Sequence, residues 1–321
     1  MPSLDKPLAT SPSRASGSGP WLRAELALLV FAALACLAFQ LTLPLKEPTD
    51  EDYRRVAELL AREARAGDVV FLFPWWTERA RLFLPAGLPV VGYLHDEADP
   101  LTAYPRIWLL SAPELPRNGN AALARLFMPE RVADGALQRF GALTLSRYRN
   151  GRSRPKLFSA VEAVARAHVY LEGADGVRTD CAFNGRWHEC PGGLRVGAEW
   201  HELLFEPRLC LYMRPPGGST RLVAEFPEVP VASDLLLEGG IIWEHAPKTD
   251  VTPLEVGVDE VRTLNSIVTL SVPGGLEGMR HVNASAALGS HALKLWTRSV
   301  RPDAREACVD LTSFAATGAA P

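Results

Sequence analysis

Four residues in seven carry the densest run of reactive groups in this chain. His95, Asp96, Glu97 and Asp99 stand in Tyr-Leu-His-Asp-Glu-Ala-Asp. Carboxylates beside an imidazole can hold a divalent cation or exchange protons as acid and base. They follow an apolar run that reads as a strand, and ligands bind at the C-terminal ends of strands in α/β sheets. The competing reading is a loop of solvated acids, because charge runs usually face water and no second motif supports a site.

A second set is aromatic. Trp187, His188, Trp200, Trp243 and His245 fall in or beside expected loops, with His201 next to Trp200. Flat rings with hydrogen-bonding neighbours suit the faces of sugars, and these five are the candidate glycan-binding residues. Packing in the core or in a hairpin is the alternative at each. Trp75 and Trp76 would stack on a sugar or lie at a membrane interface.

The third set is sulfur. Cys36 lies in an apolar segment, and Cys181, Cys190, Cys210 and Cys308 all fall in the second half. An even number in an oxidising compartment favours two disulfides. Cys181 and Cys190 would close a hairpin, which leaves Cys210 and Cys308 to join an early strand to the last one. His188 between the first two cysteines raises zinc, but their spacing matches no usual ligand pair. No metal or other cofactor is expected. The chain shows no Ser-His-Asp order and no Gly-rich phosphate loop. Its net charge of −3 gives no basic field, so nucleic acid is not an expected partner.

These residues need elements to position them. Residues 1–20 are Ser-, Gly- and Pro-rich and read as a disordered cytoplasmic tail. Residues 21–45 read as a transmembrane signal anchor. Leu26 to Phe39 is wholly apolar, and Leu26–Leu43 is the stretch that would meet lipid. A cleaved signal peptide and a lipoprotein signal ending at Cys36 are the alternatives. Basic residues precede the span and acids dominate after it. The expectation is a single pass in the cytoplasmic (inner) membrane with everything C-terminal outside the cytoplasm.

Residues 48–148 alternate helical and strand patterns. Thr49 or Asp50 caps a helix striped by Tyr53, Val56, Leu59, Leu60 and Ala64. Strands are expected at Asp68 to Phe73, Leu88 to Leu94, Arg106 to Ser111 and Leu143 to Tyr148. Helical stretches are expected at Trp76 to Leu84, Leu123 to Phe127 and Pro129 to Phe140. Together they predict a small α/β domain, a parallel sheet in three layers. Residues 149–157 form a basic linker, whose cations could touch anionic lipid or simply face water. Residues 158–312 show many short strand-like runs separated by Pro-Pro-Gly-Gly and Val-Pro-Gly-Gly, the rhythm of a jelly-roll-like β-sandwich. Residues 313–321 read as a disordered tail.

Two resemblances attach to these segments. Asp-Tyr-Arg-Arg-Val-Ala-Glu-Leu-Leu through Phe-Pro-Trp-Trp, then Pro-Arg-Ile-Trp-Leu-Leu-Ser, make residues 50–148 similar to a soluble domain of certain integral-membrane glycosyltransferases. These are the protein-mannosyltransferase and aminoarabinose-transferase types, and the domain follows their last membrane helix. Their catalytic carboxylates sit in a many-helix membrane domain without counterpart in this sequence, so no catalytic residue transfers. Residues 205–310, through Cys-Leu-Tyr-Met-Arg-Pro-Pro-Gly-Gly, Val-Thr-Leu-Ser-Val-Pro-Gly-Gly and Ser-His-Ala-Leu-Lys-Leu-Trp, resemble a galactose-binding-like jelly roll of the NPCBM type. That resemblance implies a sandwich and sugar binding.

The expectation is therefore a membrane-anchored, extracytoplasmic accessory protein without catalytic activity. It would bind a glycan or a protein and serve a membrane glycosyltransferase or polysaccharide-assembly partner. Two other functions stay open. One is an enzyme acting on a glycan or lipid-linked sugar through His95 to Asp99; the other is a purely structural interaction module.

Overall fold

The computed structural model describes residues 20–42, 47–92, 100–112, 123, 127–128, 131–203, 206–242, 252–263, 265–274, 278–301 and 305–316. The chain divides into two units, Met1–Glu47 and Pro48–Pro321. In the first, helix α1 spans Pro20–Thr42. It is long and apolar enough to cross a membrane, and its large apolar side chains are exposed.

The second unit begins with helix α2, Asp50–Glu63. Thr49 and Asp52 form a capping box. The Thr49 amide donates to Asp52 Oδ2 at 2.9 Å, and the Asp52 amide donates to Thr49 Oγ1 at 3.3 Å. Two orphan donors at the helix start are thereby satisfied, which is worth ~1 kcal/mol. Of the predicted stripe, Tyr53, Val56, Leu59 and Leu60 are buried. They pack with Val70, Leu72, Trp108, Leu110, Leu143 and Leu145.

Those residues belong to a sheet built from β1 (Asp68–Phe73), β2 (Val90–Val91), β3 (Arg106–Ser111), β4 (Arg131–Ala133), β5 (Gln138–Phe140) and β6 (Leu143–Asn150). A 3₁₀ segment, Trp75–Leu82, follows β1. The strand order is β2-β1-β3-β6-β4, with β5 paired to β6. The sheet is mixed rather than parallel. β1 runs parallel to β2 and β3, but β6 runs antiparallel to β3, β4 and β5. A parallel neighbour needs a long crossover, usually a helix. Here part of the expected helix Pro129 to Phe140 is two short strands. Gly135 and Gly141 adopt φ of +125° and +56°, so the chain folds back on β6 instead. The opposite face packs Val69, Phe71, Ile107 and Leu109 against Leu101 and Phe127.

A buried polar knot locks this sheet. Asp68, 2% exposed, accepts from Arg106 Nε at 2.8 Å, Arg106 Nη2 at 2.6 Å and Trp108 Nε1 at 2.7 Å. A buried carboxylate survives only when its lone pairs are met in this way.

The strands of the sandwich are, in chain order, β7 (Lys156–Ser159), β8 (His168–Glu172), β9 (Arg178–Asp180), β10 (Ala182–Phe183) and β11 (His188–Cys190). Then follow β12 (Leu194–Leu203), β13 (Glu206–Met213), β14 (Arg221–Val231), β15 (Asp234–Ile241) and β16 (Leu254–Glu260). The last are β17 (Ser266–Val272), β18 (Arg280–Ser285), β19 (Gly289–Arg298) and β20 (Ala307–Phe314). One sheet orders β10-β11-β12-β13-β20-β15-β18, with β7 on β20; the other orders β17-β16-β19-β14-β8-β9. Alternate residues such as Leu211, Val309, Leu237, Ala224, Leu295 and Val256 fill the space between them. This is the inward half of the period-two pattern.

Residues 149–157 join the two layers without standing apart from them. The Arg154 amide donates to the Thr102 carbonyl at 2.9 Å, and its guanidinium donates to Ser233 Oγ at 2.7 Å and pairs with Asp234. The Ala315 amide returns to the Pro155 carbonyl at 2.8 Å.

Candidate functional site

The longest hairpin of the first sandwich sheet, β12 with β13, runs to a tip at Leu203 and Glu206. Near it the cross-strand pair Trp200 and Leu209 stays 55% and 46% exposed. On this side the core alternation of Val196, Leu211 and Met213 runs out of opposing sheet. The chain between the 3₁₀ segment and β2 supplies the facing wall. Arg81 holds its guanidinium 5.6 Å from the centre of the Trp200 ring. Arg81 is itself fixed by Glu78 and by the Val90 carbonyl, to which it donates at 3.0 Å.

Between these walls lies a cleft of about 550 Å³, lined by residues 84–91, Tyr104, Trp200, Leu209 and the polar groups of Lys156, Ser159, Glu162, Arg208 and Asp310. A second hollow of about 200 Å³ shares Tyr104, Lys156, Arg208 and Asp310 and extends to Glu238, Met279 and Thr312. The combined space falls in the range of small-molecule sites.

Asp310 sits where the hollows meet. Its carboxylate accepts from the Leu311 amide at 2.8 Å, the Val161 amide at 3.3 Å, Ser159 Oγ at 3.2 Å and Thr312 Oγ1 at 3.3 Å. Burial pushes its pKa up to about 6, and the charge of Glu238, directly opposite across β15 and β20, adds to the shift. Glu238 pairs with Arg208, whose side chain is 7% exposed, at 3.5 Å. Lys156 pairs with Glu162 at the rim. Burial lowers the Lys156 ammonium's pKa, but its hydrogen bond to Glu162 together with the charges of Glu162, Tyr104 and Asp310 outweighs it and the net shift is upward.

Trp187 and His188 lie elsewhere. Trp187 is 8% exposed, meets Tyr212 edge-on at 6.1 Å and is covered by Arg195 at 4.3 Å. A Cβ on Gly197 would come within 2.5 Å of its ring, so that strand position has room only for hydrogen. His188 is 3% exposed and its Nε2 is 2.9 Å from the Val164 carbonyl; burial drives its pKa down. Neither offers a ring face to a ligand. Trp243, His245, His95, Asp96, Glu97 and Asp99 lie outside the described residues, and the Trp75 and Trp76 side chains are likewise undescribed. Cys181 is bonded to Cys190 and Cys210 to Cys308, which joins β13 to β20. Cys36 is a free thiol on α1. No cluster of metal-ligating side chains occurs among the described residues.

Of the aromatic candidates whose side chains are described, only Trp200 lines the cleft. Arg81, Arg208 and Asp310 carried no sequence signal, and Lys156 was read only as one cation of the basic linker. Pairing of β7 with β20 and β13 with β20 brings Lys156, Arg208 and Asp310 together, and Arg81 comes from the 3₁₀ segment.

No protein-family model matches the chain, and no curated protein matches it. Several solved structures do, loosely. A xylan-binding module of family CBM15 is 6% identical, with TM-score 0.29 over 47% of this chain and 93% of that one. The tandem CBM51 modules of a family 98 glycoside hydrolase from Streptococcus pneumoniae are 8% identical, with TM-score 0.31 over 55% of this chain and 56% of theirs. The C-terminal family 22 carbohydrate-binding module of Clostridium thermocellum Xyn10B is 12% identical, with TM-score 0.28 over 44% and 92%. Likenesses at this level assign no ligand and no site.

Proposed function

We propose that the protein is a non-catalytic glycan-binding protein, held at a membrane by α1 with its folded unit on the extracytoplasmic side. One observation carries the binding reading: the bare Trp200 ring at the mouth of a cleft whose floor is polar. A half-exposed indole offers apolar surface to the C–H face of a pyranose. Asp310, Ser159 and Lys156 then line the space where ring hydroxyls need partners. The anchor reading is supported by the length and apolarity of α1 and by the basic residues that precede it. The two disulfides suit an oxidising compartment. A membrane glycosyltransferase or polysaccharide-assembly machine is the partner such a protein would serve, on the resemblance of residues 50–148.

The test is a glycan array probed with the full chain in detergent, beside Trp200→Ala. We expect a defined set of glycans to bind and the variant to lose at least tenfold in affinity, ~1.4 kcal/mol. An array on which the variant performs like the wild-type chain removes the cleft from the reading. A folded chain that binds nothing favours an interaction module instead.

A further inference from the structure

The charges around the cleft say which glycans it would take, given the glycan-binding reading above. Three cations border it, Arg81, Lys156 and Arg208. Each is already matched, by Glu78, Glu162 and Glu238 respectively. Arg208 is buried with its partner, so turning it toward a ligand would strand Glu238 in a poorly solvated site. Asp310 is a fourth carboxylate, and the donors described for it are neutral: two backbone amides and two hydroxyls. The described lining of the two hollows holds three cations and three acids, and Glu78, which pairs with Arg81 from behind the wall, leaves Asp310 as the acid without a cation of its own.

An anionic sugar entering this space would compete with Glu78, Glu162 and Glu238 for the cations described there, and would approach both Asp310 and Glu162. Two like charges some 5 Å apart near a protein surface repel by ~3 kcal/mol before screening. A neutral pyranose escapes that repulsion. Its hydroxyls can donate to the carboxylates and accept from Lys156 and Ser159. We infer that the cleft is selective for uncharged glycan chains and rejects those bearing uronate or sulfate groups.

The experiment compares sugars that differ only in charge. Cello-, laminari- and mannohexaose are each titrated calorimetrically into the full chain in detergent at pH 7.5, beside their C6-oxidised, uronate forms. At least one neutral hexasaccharide is expected to bind, with its oxidised form at least tenfold weaker. Glu162→Gln, at the exposed rim, removes one of the two repelling charges and is expected to narrow the ratio between the two forms; a ratio that stays as wide overturns the charge argument. An oxidised form that binds as tightly as its neutral parent, or tighter, overturns the charge selectivity and leaves the glycan-binding reading standing. Silence from all six sugars overturns the glycan-binding reading and this inference with it.

Discussion

Aromatic rings stand among charges in two regions of the sandwich: the outer face of the second sheet, and the far end of the β12–β13 hairpin, where Trp200 lies in line with the core residues Val196 and Ala198. On the face formed by β8, β14, β19 and β16, Tyr170 and Trp296 are 0% and 3% exposed. Arg221 lies 4.1 Å above Trp296 and bonds Asp259 at 3.0 Å. Arg298 bonds Glu255, Lys294 bonds Glu172, and Tyr170 donates to Glu225 at 2.8 Å. Burial and Glu225 together hold the Tyr170 phenol protonated, its pKa well above the usual value. Ion pairs here roof the rings and close the face. At the β12–β13 hairpin the arrangement is opened: Arg81 braces Trp200, yet half of the indole stays bare and a cleft begins beside it. The residue types in the two regions are alike. What separates a sealed face from a candidate site is whether a second layer stands off from the sheet far enough to leave room.

The contrast is broken most severely at Trp296. Replacing it with alanine removes a fully buried ring, so Trp296→Ala is expected to cost ~3–5 kcal/mol in chemical denaturation. Glycan affinity of the remaining folded protein should be unchanged. Loss of binding at intact stability would place the ligand on the wrong face for this account.

Asp310 gives the next effect. Its pKa is raised to about 6 from 3.8, so the folded state favours the protonated form. The associated stabilisation is complete below about pH 4 and is lost as pH rises through 6. Glu238 and Lys156 are the charged groups that bear on it. Asp310→Asn should remove ~1–3 kcal/mol of pH dependence between pH 4 and 7, read as the difference between wild-type and variant stability curves. Parallel curves across that range would show that Asp310 titrates normally.

Trp200 should give the smallest stability effect and the largest functional one. An exposed ring on a hairpin contributes little to the core, so Trp200→Ala is expected to shift unfolding by less than ~1 kcal/mol. A loss as large as that at Trp296 would make it a packing residue.

The same physics decides what could be read in advance. The stripe of α2 was legible because burial imposes a local period, the strand Arg106–Ser111 because it is a continuous buried apolar run, and the strand Ser266–Val272 because β-branched residues run up to a Pro-Gly-Gly turn. The disulfide pairs followed from spacing. The mixed sheet was hidden because Val132 to Phe140 is short and amphiphilic, and only the positive φ at Gly135 and Gly141 turns it into strands. Trp200 was legible as an aromatic beside a polar neighbour but not distinguishable from Trp187, since exposure depends on partners far along the chain. Arg81, Lys156 and Asp310 meet across separations that no local pattern encodes.

The most direct test of the central claim is hydroxyl-radical footprinting of the full chain with and without a saturating neutral oligosaccharide. The account predicts that Trp200 and Leu209 lose reactivity on binding while Tyr170 and Trp296 stay equally unreactive in both states. Saccharide binding that leaves Trp200 as reactive as before, with protection elsewhere, would contradict it.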